Sequence, residues 1–179
     1  MQVSTSFRGR EPAIAAMFEA AFTASEGPQE GRAIGHLVTR LLTTTAPDDL
    51  HVFLAERDEA IVAGAIFTRL TFAGDKRSVF ILSPMAVAPG HQGEGLGSGL
   101  LRHALTSLRG AGIEIAVTYG DPAFYGRLGF MPMNEATIPA PLPLSHPHGW
   151  VGQSLDGQAL PVLQGPCTCV PALNDPSIW

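Results

Sequence analysis

Gln92-Gly93-Glu94-Gly95-Leu96-Gly97-Ser98, lying between an apolar strand-like run and an amphipathic helical one, is the stretch on which the reading of this chain turns. Glycines alternate through it, at Gly93, Gly95, Gly97 and Gly99. Small residues at the mouth of a helix leave several backbone N–H groups aimed at one spot with no side chain in the way. The unpaired N–H groups of the first helical turn add partial positive charge there. Such a loop suits a phosphate or a pyrophosphate.

Spacing decides which phosphate loop it is. A dinucleotide fingerprint needs G-x-G-x-x-G, but counting from Gly93 the sixth residue is Ser98, and from Gly95 it is Leu100. A nucleotide P-loop ends in G-K-[ST], and no lysine lies near. Both patterns fail, which leaves Gln-x-x-Gly-x-Gly, read as Gln92, Gly95 and Gly97.

Working outward, Ile81 to Pro89 precede the loop as an apolar run broken by Pro84. Leu96, Leu100, Leu101, Ala104, Leu105 and Leu108 give the following segment one apolar helical face, closed by Gly110 and Gly112. Upstream, Glu11-Pro12 opens a helix with Ile14, Met17, Phe18, Ala21 and Phe22 at helical spacing, and Ser25 to Pro28 break it. A second helix carries Ile34, Leu37, Val38, Leu41 and Leu42. Leu50 to Glu56, Ile61 to Phe72 and Ser78 to Val87 read as a strand meander. Beyond the glycine loop, Ile113 to Tyr119 suits a strand buried on both faces, Pro122 to Leu128 a short helix, and Phe130 starts another strand. The expected fold class is α/β.

A second block, Gly120-Asp121-Pro122-Ala123-Phe124-Tyr125-Gly126-Arg127-Leu128-Gly129-Phe130, stands about thirty residues after the first. Together the two blocks resemble the signatures of the GNAT acyltransferase superfamily, [Arg/Gln]-x-x-Gly-x-[Gly/Ala] followed by F-Y-x-[RK]-x-G-F. The resemblance runs from roughly Glu11 to Met133, and its Leu82, Pro84, Ala86, Val87, Pro89 lead-in is similar to that of small uncharacterised members. It implies a three-layer α/β sandwich, with a mixed, mostly antiparallel central sheet and a splayed strand pair that binds acetyl-CoA.

The resemblance also implies roles. Pro84 removes a ladder donor and so argues for a bulge or a parting of the pairing, where GNAT folds admit the thioester. Backbone groups of Met85 and Val87 would pair with the amide arm of pantetheine. The amide of Ala86 or Val87 would polarise the thioester carbonyl. Backbone amides of Gln92, Gly93, Glu94, Gly95, Leu96, Gly97 and Ser98 would hold the pyrophosphate, each charged bond contributing about 1.5–3 kcal/mol. Tyr125 matches the tyrosine that faces the departing thiolate, as a proton donor or simply a hydrogen-bond donor. An unperturbed phenol titrates near 10 against about 8.5 for a thiol, so full transfer is uphill by roughly 2 kcal/mol. Asp121 stands where many relatives carry Asn or His. No acid lies on the strand before the loop, which offers Ser83, so the proton acceptor stays open among Glu26, His36, Asp121, His146 and His148.

Composition limits the rest. A chain of 179 residues makes one domain or one with a short appendage. The division expected is a core over 1–135 and a Pro/Gly-rich extension over 136–179 that completes or covers it. A net charge of −5 without any basic block argues against nucleic acid and membrane surfaces. No apolar run approaches a spanning length and no signal peptide is evident, so a cytoplasmic chain is expected. Cys167-Thr168-Cys169 lacks a matching second ligand pair, and no metal is expected. The function expected is acetyl transfer from acetyl-CoA to a primary amine of a small molecule. The alternatives are a CoA-binding sensor without turnover and an acetyltransferase acting on a protein amine. The oligomeric state is open, GNAT proteins often being dimers.

Overall fold

The computed structural model describes residues 2–179. Its strands are β1 (Gln2–Ser4), β2 (Leu50–Arg57), β3 (Ala60–Phe72), β4 (Asp75–Val87), β5 (Ile115–Tyr119), β6 (Met131–Pro132), β7 (Trp150–Ser154) and β8 (Cys167–Thr168). The α-helices are α1 (Glu11–Glu26), α2 (Pro28–Thr44), α3 (Leu96–Gly110) and the short α4 (Pro122–Gly126). The hydrogen-bonded strand order is β1-β2-β3-β4-β5-β7-β6, with β8 on β3. β4 and β5 pair in parallel while β1/β2, β3/β8, β5/β7 and β6/β7 are antiparallel. This is a mixed α/β fold with an open, mostly antiparallel sheet.

The chain forms two compact units. The first contains the chain up to Phe67 together with Pro84–Ala104. Here α1 and α2 follow one another with only Gly27 between them, its φ of +97° turning the chain where a side chain would be strained. Ile14, Phe18, Leu41, Leu54, Ile66, Phe67, Leu100 and Leu101 form its core, each fully buried. The β2–β3 turn is tight because Asp58 and Glu59 both take left-handed φ, +49° and +65°, as a two-residue hairpin with right-handed strand twist requires.

The second unit contains Thr68–Ser83 and Leu105–Trp179. Its core is built on Leu70, Phe80, Ile81, Val117, Trp150 and Leu173. Trp150 Nε1 donates to Ile138 O at 2.8 Å and Trp179 Nε1 to Leu173 O at 2.9 Å, which anchors the segment from 136 onward.

Three elements differ from expectation. β4 begins at Asp75 rather than Ser78, since the Ala73-Gly74 turn is short and the ladder starts at once. β7 was not anticipated, because the surrounding prolines mask a strand of five residues. It pairs with β5 along its whole length, from Ile115↔Ser154 to Tyr119↔Trp150. The strand after Phe130 is correspondingly only Met131–Pro132, and its partner is β7.

Candidate active site

The glycine loop occupies the first unit, between the end of β4 and the start of α3. Gly93 and Gly95 both adopt left-handed φ, +79° and +76°, and a Cβ on either would meet nothing within 4 Å. Backbone sign rather than crowding therefore selects glycine here. Left-handed and right-handed residues in succession turn consecutive N–H groups toward a common point, which makes a concave anion receptor. Gly97 is selected differently, since a Cβ there would lie 2.5 Å from Met85 Cε and 3.2 Å from Val87 Cγ2. Leu96 and Gly97 are buried whereas residues 92–95 are exposed.

Glu94 adds a carboxylate to this loop, and the fold pairs it with a cation. Arg57, at the end of β2, holds Glu94 Oε2 at 2.8 Å, and His91 Nδ1 lies 3.8 Å from Glu94 Oε1. Thirty-seven residues separate Arg57 from its partner, so no local pattern reveals it.

The edge of β4 supplies the second component. The Ala88 N–H donates to Val62 O on β3 at 2.8 Å. Alternation along an extended chain then turns the backbone groups of Val87 to the opposite edge. There Gln92 Nε2 donates to Val87 O at 3.3 Å, which ties the first residue of the signature to the strand. Met85, two residues earlier in the same strand, shares that parity. A cavity of about 280 Å³ is lined by Ala21, Phe22, Ser25 and Glu26 of α1, by Met85, Ala86 and Val87, and by Gln92. Glu26 is its only charged lining residue.

The second unit carries Tyr125. The β4–β5 ladder runs from Val79↔Ile115 to Leu82↔Thr118. At its end the Thr118 hydroxyl donates to Leu82 O at 3.0 Å and is also hydrogen-bonded to Tyr125. Burial pushes the phenol above its usual value of 10.0; the Thr118 bond opposes that shift and the Asp121 carboxylate adds to it. Tyr125 is a hydrogen-bond donor over the whole neutral range. Its ring is held edge-on by Phe124 and Phe130, with centroids 5.0 and 5.5 Å away. Asp121 caps α4, its Oδ1 accepting from Ala123 N at 2.8 Å, which explains the acid at that position as a helix cap.

Among the other proton-acceptor candidates, His146 and His148 line a separate cavity of the second unit with Tyr119, Gly120, Asp121, Pro122 and Gly149. His36 lines none of the cavities described, and Ser83 is half-buried in β4. Two contributors escaped the sequence reading. Thr118 looked like one more residue of a buried strand, and Arg57 like a turn residue. Among the described residues no group of three or more His, Cys, Asp or Glu is arranged to hold a metal ion, and no helix is long and apolar enough to cross a membrane.

The glycine loop thus opens a helix beside the end of a strand whose outward edge is met by Gln92. Comparison with known proteins names the class of the chain. The Acetyltransferase (GNAT) domain profile matches residues 48–132. The uncharacterized N-acetyltransferase YjhQ of Escherichia coli (strain K12) is 35% identical over 138 residues, covering 74% of this chain and 76% of its own. The chain therefore belongs to the GNAT acetyltransferases and is an N-acetyltransferase. Its fold is similar to a GNAT family acetyltransferase from Brucella melitensis solved in complex with acetyl-CoA, at 27% identity, TM-score 0.72 and 96% coverage of both chains. It is also similar to YhbS from Escherichia coli solved in complex with CoA, at 23% identity, TM-score 0.78 and coverage of 97% and 92%.

Proposed function

We propose that this chain transfers the acetyl group of acetyl-CoA to the primary amine of a small molecule by direct attack. Supporting the reading are the left-handed Gly93 and Gly95 of the loop, set in one unit with the outward backbone edge of Val87. Together they offer amides for a pyrophosphate and a strand edge for an amide-bearing arm. Relatives of the same fold have been solved with acetyl-CoA and with CoA.

In this reading the amides of Gln92 to Ser98 hold the pyrophosphate, and Met85 and Val87 pair with pantetheine as an added strand. The amide of Ala86 or Val87 polarises the thioester carbonyl. The neutral amine attacks the carbonyl carbon, the C–N bond forms, the C–S bond breaks, and the sulfur leaves as a thiolate. Tyr125 serves that thiolate as a hydrogen-bond donor. Its raised pKa argues against full proton transfer, because the donor is the weaker acid. Proximity and the polarising amide supply most of the rate.

The test is calorimetric titration with acetyl-CoA against ATP and NADH, followed by a panel of small amines monitored for thiol release. Binding of acetyl-CoA alone and turnover with at least one amine is expected. Tight binding without turnover on any amine, by folded protein, would replace this reading with a CoA-binding sensor.

A further inference from the structure

Resting on the reading that the glycine loop holds the cofactor pyrophosphate, we propose that His91 is a positioning residue for acetyl-CoA. Its imidazole takes up a proton as the cofactor binds and offsets the Glu94 carboxylate, so the protein's affinity rises as pH falls. His91 stands at the head of the loop, where its backbone N–H donates to Ala88 O at 3.1 Å and closes the turn out of β4. Its side chain is half-buried, and Nδ1 is buried without a hydrogen-bond partner among the described residues. A buried ring nitrogen in that position costs stability until something engages it. Glu94 Oε1 lies 3.8 Å from it, too far for a hydrogen bond and close enough for an ion pair.

One carboxylate thus faces two partners of different kinds. Its Oε2 holds the Arg57 guanidinium at 2.8 Å, a charge that persists at every physiological pH. Its Oε1 faces an imidazole, a group whose charge changes roughly between pH 5 and 8. With His91 neutral, Arg57 and Glu94 cancel, and the loop amides alone receive the anion. With His91 protonated, the cluster carries a net positive charge beside those amides. The elements around the loop add mainly acids. Asp58 and Glu59, both exposed, follow Arg57 in the β2–β3 turn, Glu26 of α1 lines a cavity with Gln92, and α3 brings no ionisable side chain before Arg102. Acids nearby favour the charged imidazole, as a bound pyrophosphate does. Linkage then fixes the sign: a proton that strengthens anion binding is itself held more tightly once the anion is bound.

Both members of the pair are partly exposed, at 33% for His91 and 40% for Glu94, which limits the effect to about fivefold in affinity. Acetyl-CoA carries a titrating group of its own, the 3′-phosphate, which gains a proton at about pH 6 and so weakens binding as pH falls. The probe 3′-dephospho-CoA lacks that group and keeps the pyrophosphate, so its pH dependence comes from the protein.

Calorimetry with 3′-dephospho-CoA at pH 6.0, 7.0 and 8.0, each in two buffers of different ionisation enthalpy, reads affinity and proton uptake together. The wild type should bind up to about fivefold more tightly at pH 6.0 than at pH 8.0, and take up part of a proton at pH 7.0. His91→Gln should bind at the wild type's pH 8.0 level throughout, without proton uptake. His91→Lys, which fixes the charge, should bind at the wild type's pH 6.0 level throughout. Equal wild-type affinity across the range, or a pH dependence that survives in His91→Gln, overturns the inference and leaves the loop as the cofactor site. Failure of folded wild type to bind either acetyl-CoA or 3′-dephospho-CoA at any of these pH values overturns the reading of the loop, and the inference with it.

Discussion

Arg57 Nη1 and Glu94 Oε2 lie 2.8 Å apart, so the one acid of the glycine loop is tied to the end of a strand. Without Arg57 the carboxylate would repel a pyrophosphate held by its own neighbours. Both side chains are 40% exposed, so the pair is screened by water and salt and its effect is modest. Arg57→Ala should weaken acetyl-CoA binding by up to about fivefold, the effect shrinking at high salt. Adding Glu94→Gln should restore the affinity, as a double-mutant cycle by calorimetry would register. Equal losses in the single and double variants would detach Arg57 from Glu94.

Gly95 tests the loop by backbone sign. With φ at +76° and open space around its Cβ position, Gly95→Ala meets no clash and suffers only the left-handed penalty, about 1–2 kcal/mol. The loop would relax rather than the core, so the midpoint of thermal unfolding should move little while acetyl-CoA affinity falls about tenfold. Unchanged affinity in folded protein would remove the loop amides from the binding site.

Tyr125 makes a pH prediction. Its pKa is raised by burial, so below pH 10 folded and unfolded chains both keep the phenol neutral and its contribution to stability is complete. Between pH 10 and the folded value the unfolded chain releases the proton and the folded chain does not. Stability therefore falls as pH rises through that range. Thermal melts from pH 9 to 11.5 should show a shallower alkaline decline in Tyr125→Phe, which also costs about 0.5–1.5 kcal/mol through the lost Thr118 bond. In kinetics the same variant should lower kcat more than acetyl-CoA affinity.

Cys167 should be inert in the folded chain. Burial first, and the neighbouring Cys169 second, push its thiol up to about 12. At pH 8 that leaves roughly one part in ten thousand as thiolate, the reactive form. Alkylation should be slow at Cys167, faster at the more exposed Cys169, and fast at both in denaturant; mass spectrometry of labelled peptides reads all three.

Gly31 sets how closely α1 and α2 approach. A Cβ there would lie 2.7 Å from Glu19 O and 2.9 Å from Thr23 N, both backbone atoms that cannot swing aside. Gly31→Ala should destabilise the fold by about 1–3 kcal/mol, read from chemical denaturation, through separation of the helices. A change below that range would mean the two helices slide apart without loss.

Local chemistry wrote much of this protein into its sequence. The rejection of two phosphate loops, the surviving Gln92, Gly95 and Gly97, the α3 face from Leu96 to Leu108 and the meander ahead of it all depend on neighbours within a few residues. Glycine at a left-handed φ and apolar periodicity are local constraints, and they led to the GNAT family. Tertiary structure alone decided what distance in sequence conceals. β7 reached the sheet from among prolines because Tyr119 and Trp150 meet as ladder partners thirty-one positions apart. Thr118 meets Tyr125 only because β5 ends where α4 turns back. Arg57 meets Glu94, and Glu26 comes to line one cavity with Val87, across segments whose own patterns say nothing of each other. Such pairings are set by strand register and helix approach, which are properties of the packed whole, and no window of neighbouring residues encodes them.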